Sequence, residues 1–122
     1  MTKKTVLIIE DEKHIAQAQK LILEDKYKVH HAPDGEKGLE LVEKIKPDLI
    51  VLDLMLPNRG GYEVCFSIRQ NEELKDTKIL MVTALNQKID KDKGVLVGTD
   101  AYLTKPFEAH ELIDAVDKLI KE

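Results

Sequence analysis

Carboxylates, a hydroxyl and an amine stand directly after short apolar runs in this chain. Glu10-Asp11 follows Val6-Leu7-Ile8-Ile9, and Asp53 follows Leu49-Ile50-Val51-Leu52. Thr83-Ala84 follows Ile79-Leu80-Met81-Val82, and Thr104-Lys105-Pro106 follows Ala101-Tyr102-Leu103. Any one of these says little, because every strand ends where polar residues begin. The set is chemically coherent. Carboxylates gathered at neutral pH repel, so they either raise a pKa or hold a cation. Hard oxygen donors without His or Cys suit Mg²⁺, which keeps several waters and takes few carboxylates. Mg²⁺ and Lys105 would together set three positive charges against the three negative ones of Glu10, Asp11 and Asp53. A site so balanced accepts a phosphoryl group, and the Thr83 hydroxyl and Ala84 N–H would donate to its oxygens.

Those residues meet only if the runs lie side by side. The runs at 6–9, 49–52 and 79–82 are unbroken and mostly branched, which suits strands covered on both faces. Tyr27–Ala32 is mixed in polarity and Ala101–Leu103 is short, as edge strands are. Helix-period segments lie between. Ile15, Ala18 and Ile22 form one stripe, and Leu39, Val42 and Ile45 another, with Asp34 as N-cap. Val64, Cys65 and Ile68 line a third helix, and Leu112, Ile113, Val116, Leu119 and Ile120 a clear last one. The segment Gln87–Gly98 is crowded with charge and contains Gly94. Only Ile89 and Leu96 share a face there, so it reads as the least stable helix.

Strands alternating with helices predict an α/β fold. The expectation is a doubly wound (βα)5 three-layer sandwich around a parallel five-stranded sheet of order 2-1-3-4-5, flavodoxin-like in topology. Ligands of such sheets bind beyond the carboxyl ends of the strands at the switch in strand order, here between the first and third strands.

The chain of 122 residues reads as one domain over 1–122. With 19 basic against 23 acidic residues its net charge is −4, which disfavours direct nucleic-acid binding. No apolar run is long enough to span a membrane, and Val6–Ile9 is too short for a secretory leader. The single Cys65 forms no internal disulfide, so a reducing, cytoplasmic setting is expected.

At this point the residues carry a family likeness. From about Lys4 to Lys121 the chain resembles the receiver domain of two-component response regulators, the CheY-like superfamily. The matching words are Val6–Glu12, Pro47–Pro57, Gly61-Tyr62-Glu63, Thr83-Ala84-Leu85 and Tyr102–Phe107, in order and at the right spacing. The resemblance implies a phosphoryl-accepting signalling switch. Asp53 would take the phosphoryl group from a phosphohistidine of a histidine kinase or phosphotransfer protein. Asp11, Asp53 and the Met55 backbone carbonyl would bind Mg²⁺, with Glu10 acting through a water. Thr83, Ala84 and Lys105 would contact the phosphoryl oxygens, Thr83 and Tyr102 would move together, and Lys105-Pro106 would be cis. The output would pass to an unknown downstream protein through the face at 86–121, the chain being a monomer or a weak dimer through that face. Arg59-Gly60-Gly61 departs from the family's usual pattern by its middle glycine. Met55 and Leu85 are apolar where the family controls access of the hydrolytic water, which predicts slow autodephosphorylation.

The competing reading is a small Mg²⁺-dependent phosphohydrolase with an aspartyl intermediate. Such enzymes place a second Asp two residues past the nucleophile, where this chain has Met55. A flavin-type binding module lacks its phosphate loop, since Glu10-Asp11-Glu12 would repel a phosphate. His30 and His31 point to opposite faces of a strand and read as structural. His14 and His110 lack a second ligand at i+4, and Cys65 reads as a packing residue.

Overall fold

The computed structural model describes residues 3–57, 59–84 and 91–121. Its elements run β1 (Thr5–Ile9), α1 (Lys13–Leu23), β2 (Lys28–Ala32), α2 (Gly35–Ile45), β3 (Leu49–Asp53), α3 (Gly61–Arg69), β4 (Lys78–Ala84), α4 (Lys91–Val97), β5 (Ala101–Lys105) and α5 (Ala109–Lys121). A 3₁₀ turn at Glu72–Leu74 leads into β4. The strands form one parallel sheet of order β2-β1-β3-β4-β5. The three apolar strands are central, where both faces are covered, and the mixed β2 and the short β5 are edges, as their sequences predict.

Alternation along the strands splits the core. Leu7, Ile9, Ile50, Leu52, Ile79 and Met81 face α2 and α3, where they meet Val42, Val64, Cys65 and Ile68. Val6, Ile8, Leu49, Val51, Leu80 and Val82 face α1 and α5, where they meet Ala16, Leu23, Leu112 and Val116. Asp34 caps α2 as expected, its side chain accepting the Lys37 N–H at 2.8 Å.

Two helices differ from their predicted faces. In α1 the buried stripe is Ala16, Gln19 and Leu23, one residue on from the expected set. Ala18 is exposed and Ile15 and Ile22 flank the contact. The polar Gln19, 2% exposed, disguised the true face. In α4 the expected inward Leu96 is 83% exposed and Val95 is 79% exposed. Gly94 faces inward instead, because the Tyr102 hydroxyl occupies the space a Cβ there would need. Ile89, its expected partner, and Leu85 lie outside the described residues. Among the described residues no helix is long and apolar enough to cross a membrane.

Candidate functional site

The carboxyl ends of β1 and β3 deliver three acids to one place. Glu10 follows β1 and is 1% exposed, while Asp53 ends β3 and is 8% exposed. Asp11 is exposed at the start of the β1–α1 loop. One carboxylate oxygen from each of Glu10, Asp11 and Asp53 lies within 4.8 Å of the others. Lys105, at the end of β5, spans from the sheet's far edge. Its Nζ donates to Glu10 Oε1 at 2.9 Å and Asp53 Oδ2 at 3.3 Å. Burial alone would lower the lysine's pKa. The hydrogen bond to Glu10 and the charges of Asp53 and Glu10 outweigh it, and the ammonium is held above the ordinary lysine value.

Backbone amides fix the remaining oxygens. Glu10 Oε2 accepts the Glu12 N–H at 3.1 Å, and Asp53 Oδ1 accepts the Met55 N–H at 3.1 Å. The β3–α3 segment returns tightly: Leu54 N–H donates to Val82 O, and Gly61 N–H to Leu54 O, each at 2.8 Å. Gly61 is required there, since a Cβ would stand 2.6 Å from the Asp53 carbonyl oxygen. The middle glycine of Arg59-Gly60-Gly61 serves as the N-cap of α3.

Thr83 is fully buried near the end of β4, and Ala84 pairs in register with Lys105. The Thr83 hydroxyl donates to the Ala84 carbonyl at 3.4 Å. The Lys105–Pro106 peptide is cis. Tyr102 is half-buried beneath α4, with its hydroxyl 3.0 Å from that of Tyr62. Burial, with the Tyr62 hydrogen bond next, raises its pKa well above the usual phenol value. The Cys65 thiol is also pushed up by burial, which fits its packing role.

The residues predicted from sequence therefore fall into two groups. Glu10, Asp11, Asp53 and Lys105 form one cluster, with Met55 tied to it by its N–H. Thr83, Ala84 and Tyr102 belong to the adjoining strands β4 and β5. His31 was missed: its Nε2 lies 2.8 Å from the Glu10 carbonyl oxygen. It also lines a cavity of about 540 Å³ with Asp11, Lys13 and Lys20. Nothing in the mixed pattern of β2 signals that contact.

Chemically, the donor set suits a divalent cation. It offers carboxylate oxygens alone, and three carboxylates beside one ammonium leave a local charge of −2.

Comparison with known proteins agrees with this geometry. Residues 6–117 match the family model described as the response regulator receiver domain. Over 117 residues the chain is 44% identical to the DNA-binding dual master transcriptional regulator RpaA of Synechocystis sp., covering 95% of this chain and 48% of that protein. The chain thus spans about half the length of that curated relative. A response regulator structure from Chloroflexus aurantiacus superposes with a TM-score of 0.92 at 34% identity, covering 99% of this chain and 100% of that one. The receiver domain of the Pseudomonas aeruginosa sensor histidine kinase PA1611, with magnesium coordinated in its active-site cleft, gives a TM-score of 0.89 at 26% identity, covering 99% and 100%.

Proposed function

We propose residue roles for this chain, which belongs to the response regulator receiver domain family, on the premise of that membership. The chain is a receiver domain of a two-component response regulator, a phosphoacceptor signalling switch rather than a conventional enzyme. Receiver domains take phosphate from histidine kinases. Here the acceptor is Asp53. One of its carboxylate oxygens forms a bond to phosphorus as the phosphorus–nitrogen bond of a phosphohistidine breaks, returning the electron pair to the imidazole.

Glu10, Asp11, Asp53 and the Met55 carbonyl would hold Mg²⁺, with Glu10 through a water; the ion offsets repulsion between Asp53 and the incoming phosphoryl group. Lys105 binds a phosphoryl oxygen from its place beside Asp53, and the Thr83 hydroxyl and Ala84 N–H bind the others. The aspartyl phosphate then biases Thr83 and Tyr102, and with them the face at 86–121, toward a second arrangement read by a downstream protein. Residues 86–90 of that face lie outside the described residues. The whole chain's net charge of −4 disfavours direct nucleic-acid binding by the receiver domain itself. Hydrolysis is slow, because Met55, 63% exposed beside Asp53, offers no polar group to orient water.

The carrying observation is Lys105 Nζ reaching both Glu10 and Asp53 from the other side of the sheet. The test is incubation with acetyl phosphate and Mg²⁺, read by intact mass. Wild type gains one phosphoryl adduct and Asp53→Ala gains none. Equal adducts in both would remove Asp53 from its role.

A further inference from the structure

We propose that His31 is a positioning residue for the acidic rim, holding the Glu10 carbonyl and through it aiming the Asp11 carboxylate. The inference rests on the Mg²⁺ reading above and extends it to a residue that is not a ligand. The β1–β2 ladder runs out at this point. Glu10 N–H still donates to Ala32 O at 3.1 Å, the last backbone rung between β1 and β2. The Glu10 carbonyl is met by the half-buried His31 ring at 2.8 Å. A carbonyl only accepts, so His31 Nε2 carries the hydrogen.

The consequence follows from peptide planarity. The Glu10 carbonyl and the Asp11 N–H and Cα share one rigid plane. Fixing the oxygen of that plane fixes where the Asp11 N and Cα sit, and leaves only rotation about N–Cα and the side-chain torsions to set where its carboxylate points. Glu10 itself is already restrained, by Lys105 on Oε1 and Glu12 N–H on Oε2. Asp11 is exposed and sits in the loop before α1. The edge strand therefore orients the acid that its neighbouring strand orients least. Asp11 and His31 also line the same cavity beside α1, so the ring lies on the side of the chain from which Asp11 projects.

Partners that orient ligands without binding the metal are worth about 10–100-fold in affinity. Acting one bond further away, His31 belongs at the low end. The test is calorimetric Mg²⁺ titration of the intact chain, with the Asp11 amide followed by NMR, on wild type, His31→Leu, His31→Gln and His30→Gln. The expected result is about tenfold weaker Mg²⁺ binding and a displaced Asp11 amide signal in His31→Leu. His31→Gln, whose amide reaches about as far as Nε2, restores most of the affinity, and His30→Gln on the other strand face leaves it unchanged. Urea unfolding without Mg²⁺ reports any purely structural cost separately. Should His31→Leu not fold, His31→Asn, too short to reach the carbonyl, takes its place against His31→Gln. Binding by His31→Leu within twofold of wild type, or His31→Gln no tighter than His31→Leu, overturns the proposal. A wild type that fails to bind Mg²⁺, or an Asp53→Asn that binds it equally well, overturns the metal reading first and this inference with it.

Discussion

Helices α4 and α5 flank the same edge strand and are held in opposite ways. Over 13 residues α5 buries Leu112, Val116 and Leu119 against β1, β3 and β4 residues of the core. It is also pinned to the loop before β2, where Asp117 accepts from the Tyr27 hydroxyl and from Lys26 at 2.6 Å. Over its described residues Lys91–Val97, α4 turns Gly94 inward and leaves Val95 and Leu96 in solvent. Among the described residues, α4 is held by Val97, partly buried against the core, and by polar contacts around its C-terminal end. The Cys65 thiol donates to Val97 O at 3.2 Å, and Arg69 Nε to Gly98 O at 3.1 Å, while the Arg69 guanidinium pairs with Asp100 at 2.8 Å. Lys93 lies 5.5 Å from the centre of the Tyr62 ring. A helix with little apolar burial opens at lower free energy than one seated in the core. The contrast places the firm support on α5 and the adjustable element over Tyr102.

The sharpest way to break this comparison is Leu112→Ala. The residue is fully buried, so the truncation should cost about 2–4 kcal/mol by urea unfolding. A loss below 1 kcal/mol, on the order of a partly exposed site, would deny α5 its role as anchor. Next is Gly94→Ala, whose methyl would overlap the Tyr102 hydroxyl. The expected cost is about 1–3 kcal/mol, with displaced Tyr102 ring signals in NMR. A gain in stability, as alanine gives in an open helix, would show that Tyr102 does not occupy that space.

Asp117→Asn probes the polar pin on α5. Burial would raise the Asp117 carboxyl, but the Lys26 and Tyr27 hydrogen bonds and nearby lysine charges outweigh it and lower its pKa. A carboxyl depressed in the folded state stabilises above its unfolded pKa of about 3.9 and loses that stability as pH falls through the lower folded value. Wild type should therefore lose part of its stability in acid, while Asp117→Asn shows a flatter profile below about pH 4. Since Lys26 is largely exposed, the difference at neutral pH should be about 1 kcal/mol or less. The smallest effect belongs to Leu96→Ala, expected within about 0.5 kcal/mol of wild type because the side chain is in solvent. A larger loss would mean that α4 buries more than its exposure indicates.

Local chemistry explains which parts were readable in advance. Asp34 as cap, the Val64–Cys65–Ile68 face and the α5 stripe need only their own neighbours in sequence, and all appear as expected. The α1 face was displaced because its central buried position is a glutamine, whose Oε1 has no hydrogen-bond partner among the described residues. The α4 face was misread because its inward residue has no side chain, and the apolar mass there comes from β5. No local pattern can report a ring arriving from another strand.

Sequence alone determined the element order, the central and edge strands, and the residue types at each strand end, since periodicity and strand length are local properties. Tertiary structure alone decided that Lys105 touches both Glu10 and Asp53, that Tyr102 fills the space beside Gly94, and that His31 holds the Glu10 carbonyl. Each of those contacts joins residues distant in the chain. Their geometry depends on the register of the sheet and the path of loops, which only the folded molecule sets.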